Sequence, residues 1–138
     1  MLSGVSHDLG DLAAAGPLDL PEAVLALFRP IAAVAREVAM VGYFDPKWRL
    51  LGMRELSAGS IDAVAIPLRA IVADALALDC ALAVLAHNHP SGDPTPSDAD
   101  YRLTRRVAQA LQFIDVVLFD HLVIAADSYS SFRARGLL

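Results

Sequence analysis

Cysteine is almost absent from this chain of 138 residues, in which Cys80 is the single example. One thiol can form neither an intrachain disulfide nor a cysteine-based structural zinc site. We therefore expect a fold held together by its apolar core in a reducing, cytoplasmic setting. Cys80 lies between Asp79 and an apolar run, a position typical of a small buried thiol rather than a nucleophile.

An excess of basic residues is also lacking. The chain has 11 Lys and Arg against 16 Asp and Glu, and its formal net charge is -5. Non-specific binding to nucleic acid requires clustered Lys and Arg, so nucleic acid is not the expected partner. Arg102, Arg105 and Arg106 form a local basic cluster, which is more typical of a solvated helix face than of a DNA contact.

Long apolar runs are missing as well, although mean hydropathy is +0.48. Charged residues such as Arg36 and Asp74 interrupt the apolar stretches, and no window reaches the roughly 18 residues that a membrane span needs. The first eight residues lack the basic and apolar regions of a secretory signal. We expect a flexible N-terminal arm at residues 1–19 and one globular domain at residues 20–138.

Within residues 20–138, helix-like and strand-like patterns alternate. We predict an α/β (α+β) fold with a three-layer arrangement, in which helices flank a mixed and largely antiparallel sheet. The predicted helices are 22–28, 31–37, 67–78 and 97–113, with a kink or break at Pro30. The predicted strands are 38–45, 49–56, 61–66, 81–86, 116–119, 122–126 and 128–132, the first two forming a β-hairpin.

The residues most informative about function follow the apolar run at 81–86. His87 and His89 stand at the end of a predicted strand, where residues two apart project to the same side. A Pro- and Gly-containing loop then leads to Ser97, a candidate N-cap, and to Asp100 in the first turn of the next helix. Two imidazoles and one carboxylate suit zinc and leave a fourth position for water, as in catalytic sites.

A structural interpretation competes with this one. His-x-His recurs by chance, and Ser97 with Asp100 resembles a capping box that stabilises a helix without catalytic purpose. His121 is more typical of a hydrogen-bonding structural residue than of a fourth ligand.

The spacing His87-x-His89, seven residues, Ser97-x-x-Asp100 resembles the RadC-like branch of the JAB/MPN (JAMM) metalloprotease superfamily. The flanking segments Gly59-Ser-Ile-Asp62, Asp120-His121 and Ser131 to Leu138 are similar to that branch too. The resemblance covers residues 38–138 and implies a JAB/MPN-type domain with a curved mixed sheet flanked by helices.

The resemblance also implies chemistry for particular residues. His87, His89 and Asp100 would bind one Zn²⁺ per chain, and Ser97 would stabilise the oxyanion of the tetrahedral intermediate. The family's distant glutamate would correspond to Glu55, the general acid–base, although a glutamate at a strand end is usually a solvated surface residue. The expected function is zinc-dependent hydrolysis of an amide bond in a peptide or protein conjugate.

Two other functions share part of this pattern. A DNA-repair-associated accessory protein with a non-catalytic metal site is the alternative, and family resemblance keeps a nucleic-acid partner open. The acidic charge argues against it, as do the 37 residues preceding the similarity, too few for the helical region often found there. A zinc deaminase is excluded because its His-x-Glu and Pro-Cys-x-x-Cys patterns are missing. The sequence leaves monomer and homo-oligomer undecided.

Overall fold

The computed structural model describes residues 20–58 and 67–138. The predicted arm at 1–19 and the predicted strand at 61–66 lie outside these residues. The helices are α1 (Glu22–Phe28), a 3₁₀ helix (Arg29–Ala33), α2 (Leu68–Leu78) and α3 (Asp98–Gln112). The strands are β1 (Val38–Phe44), β2 (Leu50–Ala58), β3 (Leu82–Asn88), β4 (Val117–Ile124) and β5 (Tyr129–Ser131).

The five strands form one mixed sheet in the order β2-β1-β3-β4-β5. β1 pairs antiparallel with β2 and β3, β3 pairs parallel with β4, and β4 pairs antiparallel with β5. The predicted β1–β2 hairpin and the mixed α+β fold are confirmed. None of the helices in the described ranges combines the length and apolar character needed to cross a bilayer.

Two apolar layers cover the two faces of the sheet. On one face, here called the α2/α3 face, alternate residues of β1 and β3 pack against both long helices. The strand residues include Ala39, Val41 and Leu85, and the helix residues include Leu103 and Val107 of α3. On the other face, here called the α1 face, strand residues such as Val84, Ala86 and Leu122 pack against Val24 and Phe28 of α1. β3 is thus buried on both sides, which explains its nearly continuous apolar sequence.

Two predicted elements are wrong. The helix expected at 31–37 is a 3₁₀ turn that ends at Ala33, because Val34 adopts an extended backbone with ψ 127°. Separate strands at 116–119 and 122–126 are one strand, β4.

The break in alternation within β4 is a β-bulge rather than a turn. Ala83 pairs with Leu118, but the next residue, Val84, pairs with Asp120. An extra residue in one strand reverses the facing of all residues that follow. Leu118 and His121 consequently share the α2/α3 face although they are three positions apart in the sequence.

Candidate metal centre

Three potential ligands converge at the end of β3 that meets the start of α3. Within the described ranges, His87, His89 and Asp100 form a group whose ligand atoms all lie within 4.8 Å of one another. His87 Nε2 is 3.0 Å from His89 Nε2 and 3.0 Å from Asp100 Oδ1, and His89 Nε2 is 3.3 Å from Asp100 Oδ2. The structure therefore brings together the three residues predicted to bind metal.

These spacings suit a small cation. With zinc–nitrogen bonds of about 2.0–2.1 Å, neighbouring ligands of a tetrahedral site are about 3.3 Å apart. The His87 side chain is fully buried, that of Asp100 is 3 % exposed and that of His89 is 14 % exposed. His89 is therefore the most exposed of the three candidate ligands.

Each histidine is oriented through its second ring nitrogen. His89 Nδ1 lies 2.8 Å from the carbonyl oxygen of Asp93, which can only accept, so Nδ1 carries a proton and Nε2 presents a lone pair in the neutral imidazole. His87 Nδ1 lies 2.7 Å from His121 Nε2. Partners of this kind fix the tautomer of metal-binding histidines, and their presence is a further fit to a metal site.

The loop from Pro90 to Pro96 is held so that it returns Asp100 to the histidines. The Gly92 amide donates to the carbonyl of His89 at 3.0 Å, closing a turn in which Gly92 has φ +91°. That left-handed conformation favours glycine. Ser130 on β5 donates its hydroxyl to the Pro94 carbonyl and ties the loop to the edge of the sheet.

Ser97 and Asp100 form the predicted capping box at the start of α3. The Ser97 amide donates to Asp100 Oδ2 at 2.7 Å, and the Asp100 amide donates to Ser97 Oγ at 3.1 Å. One carboxylate oxygen thus caps the helix while Oδ1 faces His87. The structural and metal-binding interpretations of Asp100 are compatible, since the capping bond uses Oδ2 and leaves Oδ1 facing His87.

Electrostatics at the site favours an ionised carboxylate. Burial acts to raise the pKa of Asp100, but the hydrogen bond and charge of His87, with the hydrogen bonds of Ser97, outweigh it and hold the pKa well below its usual range. Burial lowers the pKa of His121, as does the nearby charge of His87, so that His121 is neutral.

Glu55 is not brought to this cluster. It pairs with Met40, which pairs in turn with Ala86, and both of these partners pack on the α1 face. Its carboxylate is about half-exposed and lies 3.8 Å from Arg36 Nη2. His87, by contrast, pairs with Ala39 and projects from the α2/α3 face.

The arginine cluster and the single cysteine, both noted in the sequence, do not belong to the candidate metal group. Arg102, Arg105 and Arg106 are exposed on α3. Cys80 is buried, and burial raises the pKa of its thiol to about 11, as expected of an unreactive cysteine.

Comparison with known proteins decides the family. A sequence model described as the RadC-like JAB domain matches residues 18–137. The chain belongs to the RadC-like JAB domain family. This confirms the resemblance inferred from the sequence.

Individual relatives of this RadC-like JAB domain carry names that state no activity. The chain is 46% identical over 104 residues to UPF0758 protein Smlt0399 of Stenotrophomonas maltophilia. That alignment covers 75% of the chain and 44% of the relative. It is 42% identical over 108 residues to UPF0758 protein YfjY of Escherichia coli and 40% identical over 108 residues to a UPF0758 protein of Vibrio cholerae. Those two alignments cover 78% of the chain and 68% of each relative.

The RadC-like JAB domain also contains site neighbours that sequence reasoning missed. Asn88 accepts from the Val38 amide at 2.7 Å and donates to the carbonyl oxygens of Val34 and Arg36 at 2.9 and 3.0 Å. It thereby fixes the backbone on both sides of Glu37 against the histidine-bearing end of β3. The available signal was an asparagine between two histidines at a strand end, where a buried amide needs partners.

Proposed function

We propose that this domain is a zinc-dependent hydrolase that cleaves an amide bond in a peptide or protein conjugate. The observation that supports this most is the convergence of two imidazole Nε2 atoms and one carboxylate at 3.0–3.3 Å. His87, His89 and Asp100 would hold the ion. Zinc with three protein ligands lowers the pKa of a water in its open position to about 7 and thus supplies a nucleophile at neutral pH.

The general acid–base is better assigned to Glu37 than to Glu55. Glu55 faces the opposite side of the sheet, and Glu22 lies on α1, its carboxylate 3.8 Å from Arg29. Glu37 is half-buried and lies two residues before Ala39, the β1 partner of His87. If the antiparallel register continued two residues beyond the last observed pair, Ala39 with His87, Glu37 would lie opposite His89, and the alternation of β1 would direct its side chain to the α2/α3 face.

The roles of the protein groups follow from this placement. Glu37 would take the proton from the attacking water and return it to the leaving amine. Ser97 accepts a hydrogen bond through Oγ from the Asp100 amide, so its hydroxyl hydrogen remains available to donate to the developing oxyanion. Ser97 is exposed, as a group that contacts substrate must be.

The first test is metal content, measured by mass spectrometry on protein purified without chelator and supplied with zinc. About one zinc per chain is expected for the wild type, and none for a His87→Ala, His89→Ala double variant. Wild-type protein that stays metal-free when zinc is offered would overturn the proposal.

The second test compares two glutamates on a matched background. Zinc-loaded wild type is screened against a fluorogenic peptide library and a lysine-linked isopeptide, and any substrate found is then offered to Glu37→Gln and Glu55→Gln. Loss of a general base costs about 10²–10⁴-fold in rate, and we expect that loss in Glu37→Gln alone. Equal zinc content in both variants is the control, and a loss confined to Glu55→Gln would return the role to Glu55.

A further inference from the structure

A chain of buried hydrogen bonds runs behind the proposed metal ligands. His87 Nδ1 is 2.7 Å from His121 Nε2, His121 Nδ1 contacts the hydroxyl of Thr104, and that hydroxyl lies 2.7 Å from the backbone oxygen of Asp100. His87 and His121 are fully buried, and Thr104 is 3 % exposed. This series of hydrogen bonds starts at one proposed ligand, His87, and ends on the backbone of another, Asp100.

The hydrogen bond from Thr104 to the Asp100 carbonyl sets the donor and acceptor of every other hydrogen bond in this series. A carbonyl oxygen can only accept, so the single hydroxyl hydrogen of Thr104 is directed to Asp100. Thr104 must then accept from His121 Nδ1–H. A neutral imidazole has one N–H, which leaves His121 Nε2 to accept from His87 Nδ1–H. The nitrogen of His87 that faces His89 and Asp100 is therefore Nε2, which presents a lone pair in the neutral imidazole that metal binding requires.

Two further features hold His121 in this orientation. The β4 bulge turns its side chain to the α2/α3 face, where His87 and Thr104 lie. Its ring also stacks on Phe132, with ring centroids 4.6 Å apart and planes inclined by 20°. A half-turn of the imidazole about its χ2 angle would replace both nitrogens by ring carbons and break both hydrogen bonds, and a smaller rotation would also tilt the ring away from Phe132.

We infer that His121, oriented by Thr104, is a positioning residue that keeps the proton of His87 on Nδ1 and its Nε2 free for the metal. The inference rests on the proposed function, because the metal site is part of that proposal. His121 is not itself a ligand in this scheme. Both of its nitrogens are engaged by His87 and Thr104.

The sharpest variant pair is at Thr104. Thr104→Val keeps the shape but removes the hydroxyl, so nothing fixes the tautomer of His121. Thr104→Ser restores the hydroxyl. Loss of a partner behind a metal ligand lowers affinity by about 10–100-fold, and we expect a fall of that size for Thr104→Val, measured by competition with a zinc chelator. Thr104→Ser should bind like the wild type.

A second readout needs no metal. In metal-free protein labelled with ¹⁵N-histidine, long-range ¹H–¹⁵N correlation at mildly alkaline pH identifies which ring nitrogen carries the proton. We expect Nδ1–H at His87 and His121 in wild type and Thr104→Ser, and a mixture at both residues in Thr104→Val. His121→Gln, whose amide can accept from His87 and donate to Thr104, should retain Nδ1–H at His87, whereas His121→Leu should not.

The outcomes separate the two proposals. Wild-type protein that binds no zinc overturns the proposed function and this inference with it. Wild type that binds zinc while Thr104→Val binds equally tightly overturns the positioning role alone. An Nε2–H proton on His87 in the metal-free wild type would also overturn it, whatever the zinc affinity. Melting temperatures of all variants without zinc show whether a lost affinity reflects a lost fold.

Discussion

Zinc should stabilise this protein through Asp100, and replacing Asp100 by Asn should remove most of that effect. A ligand that binds only the folded state at about 100 times its dissociation constant stabilises that state by about 2.7 kcal/mol. For a domain of this size, that corresponds to a rise in melting temperature of roughly 10 °C. Losing one of three ligands should weaken zinc binding by at least about 100-fold. At the same zinc concentration, the stabilisation then falls to about 0.4 kcal/mol, roughly 1–2 °C.

The measurement must be the zinc-dependent shift rather than the absolute melting temperature. The pKa of Asp100 is lowered in the folded protein, against the raising effect of burial, chiefly by the hydrogen bond and charge of His87. A carboxylate with a lowered folded-state pKa adds stability above its unfolded pKa and loses it as the pH falls. Asp100→Asn should therefore melt lower than wild type at neutral pH even without metal. The capping bond survives, because the Asn oxygen can still accept from the Ser97 amide.

Asp98→Asn is the matched control, since Asp98 is an exposed acid in the same first turn of α3. It should keep the full zinc shift. Differential scanning fluorimetry with and without zinc measures the zinc-dependent shift in melting temperature, with chelator-treated protein as the baseline. An Asp100→Asn variant that shows the same zinc shift as wild type would refute the assignment of Asp100 as a ligand.

Three further predictions concern stability and reactivity. Asp74 accepts two hydrogen bonds from Arg54 and one from a tyrosine hydroxyl, so Asp74→Asn should lower the free energy of unfolding by about 2 kcal/mol at neutral pH. The hydrogen bonds of Arg54 lower the pKa of Asp74; the deficit in urea unfolding should therefore shrink as the pH falls through the acidic range, and a pH-independent deficit would contradict this. Gly42→Ala sets a Cβ 2.9 Å from the ring of Phe28 and should cost about 1–3 kcal/mol by overpacking; an unchanged urea midpoint would show that the ring moves freely. Buried Cys80 should react with iodoacetamide far more slowly in folded than in urea-unfolded protein, and equal rates would show that the thiol is accessible.

Some elements of the fold are encoded in local sequence patterns, and others depend on strand pairing. The helices α1, α2 and α3 and the β1–β2 hairpin could be predicted because apolar periodicity and turn residues are local signals. The β4 bulge could not, because an extra residue in a strand breaks alternation in the same way as a turn does. Only the pairing of Val84 with Asp120 distinguishes the two.

The sequence by itself determined the candidate site segment, since His87, His89, Ser97 and Asp100 lie within one short stretch whose strand, loop and capped helix are encoded locally. Tertiary structure alone decided what surrounds them. The strand that lies beside the histidine-bearing strand β3 is β1, which pairs with His87 through Ala39, while β2 and Glu55 lie one strand further away. The position of His121 likewise depends on β4 pairing parallel to β3. Pairing between strands distant in sequence is a property of the whole sheet, so no local pattern records it.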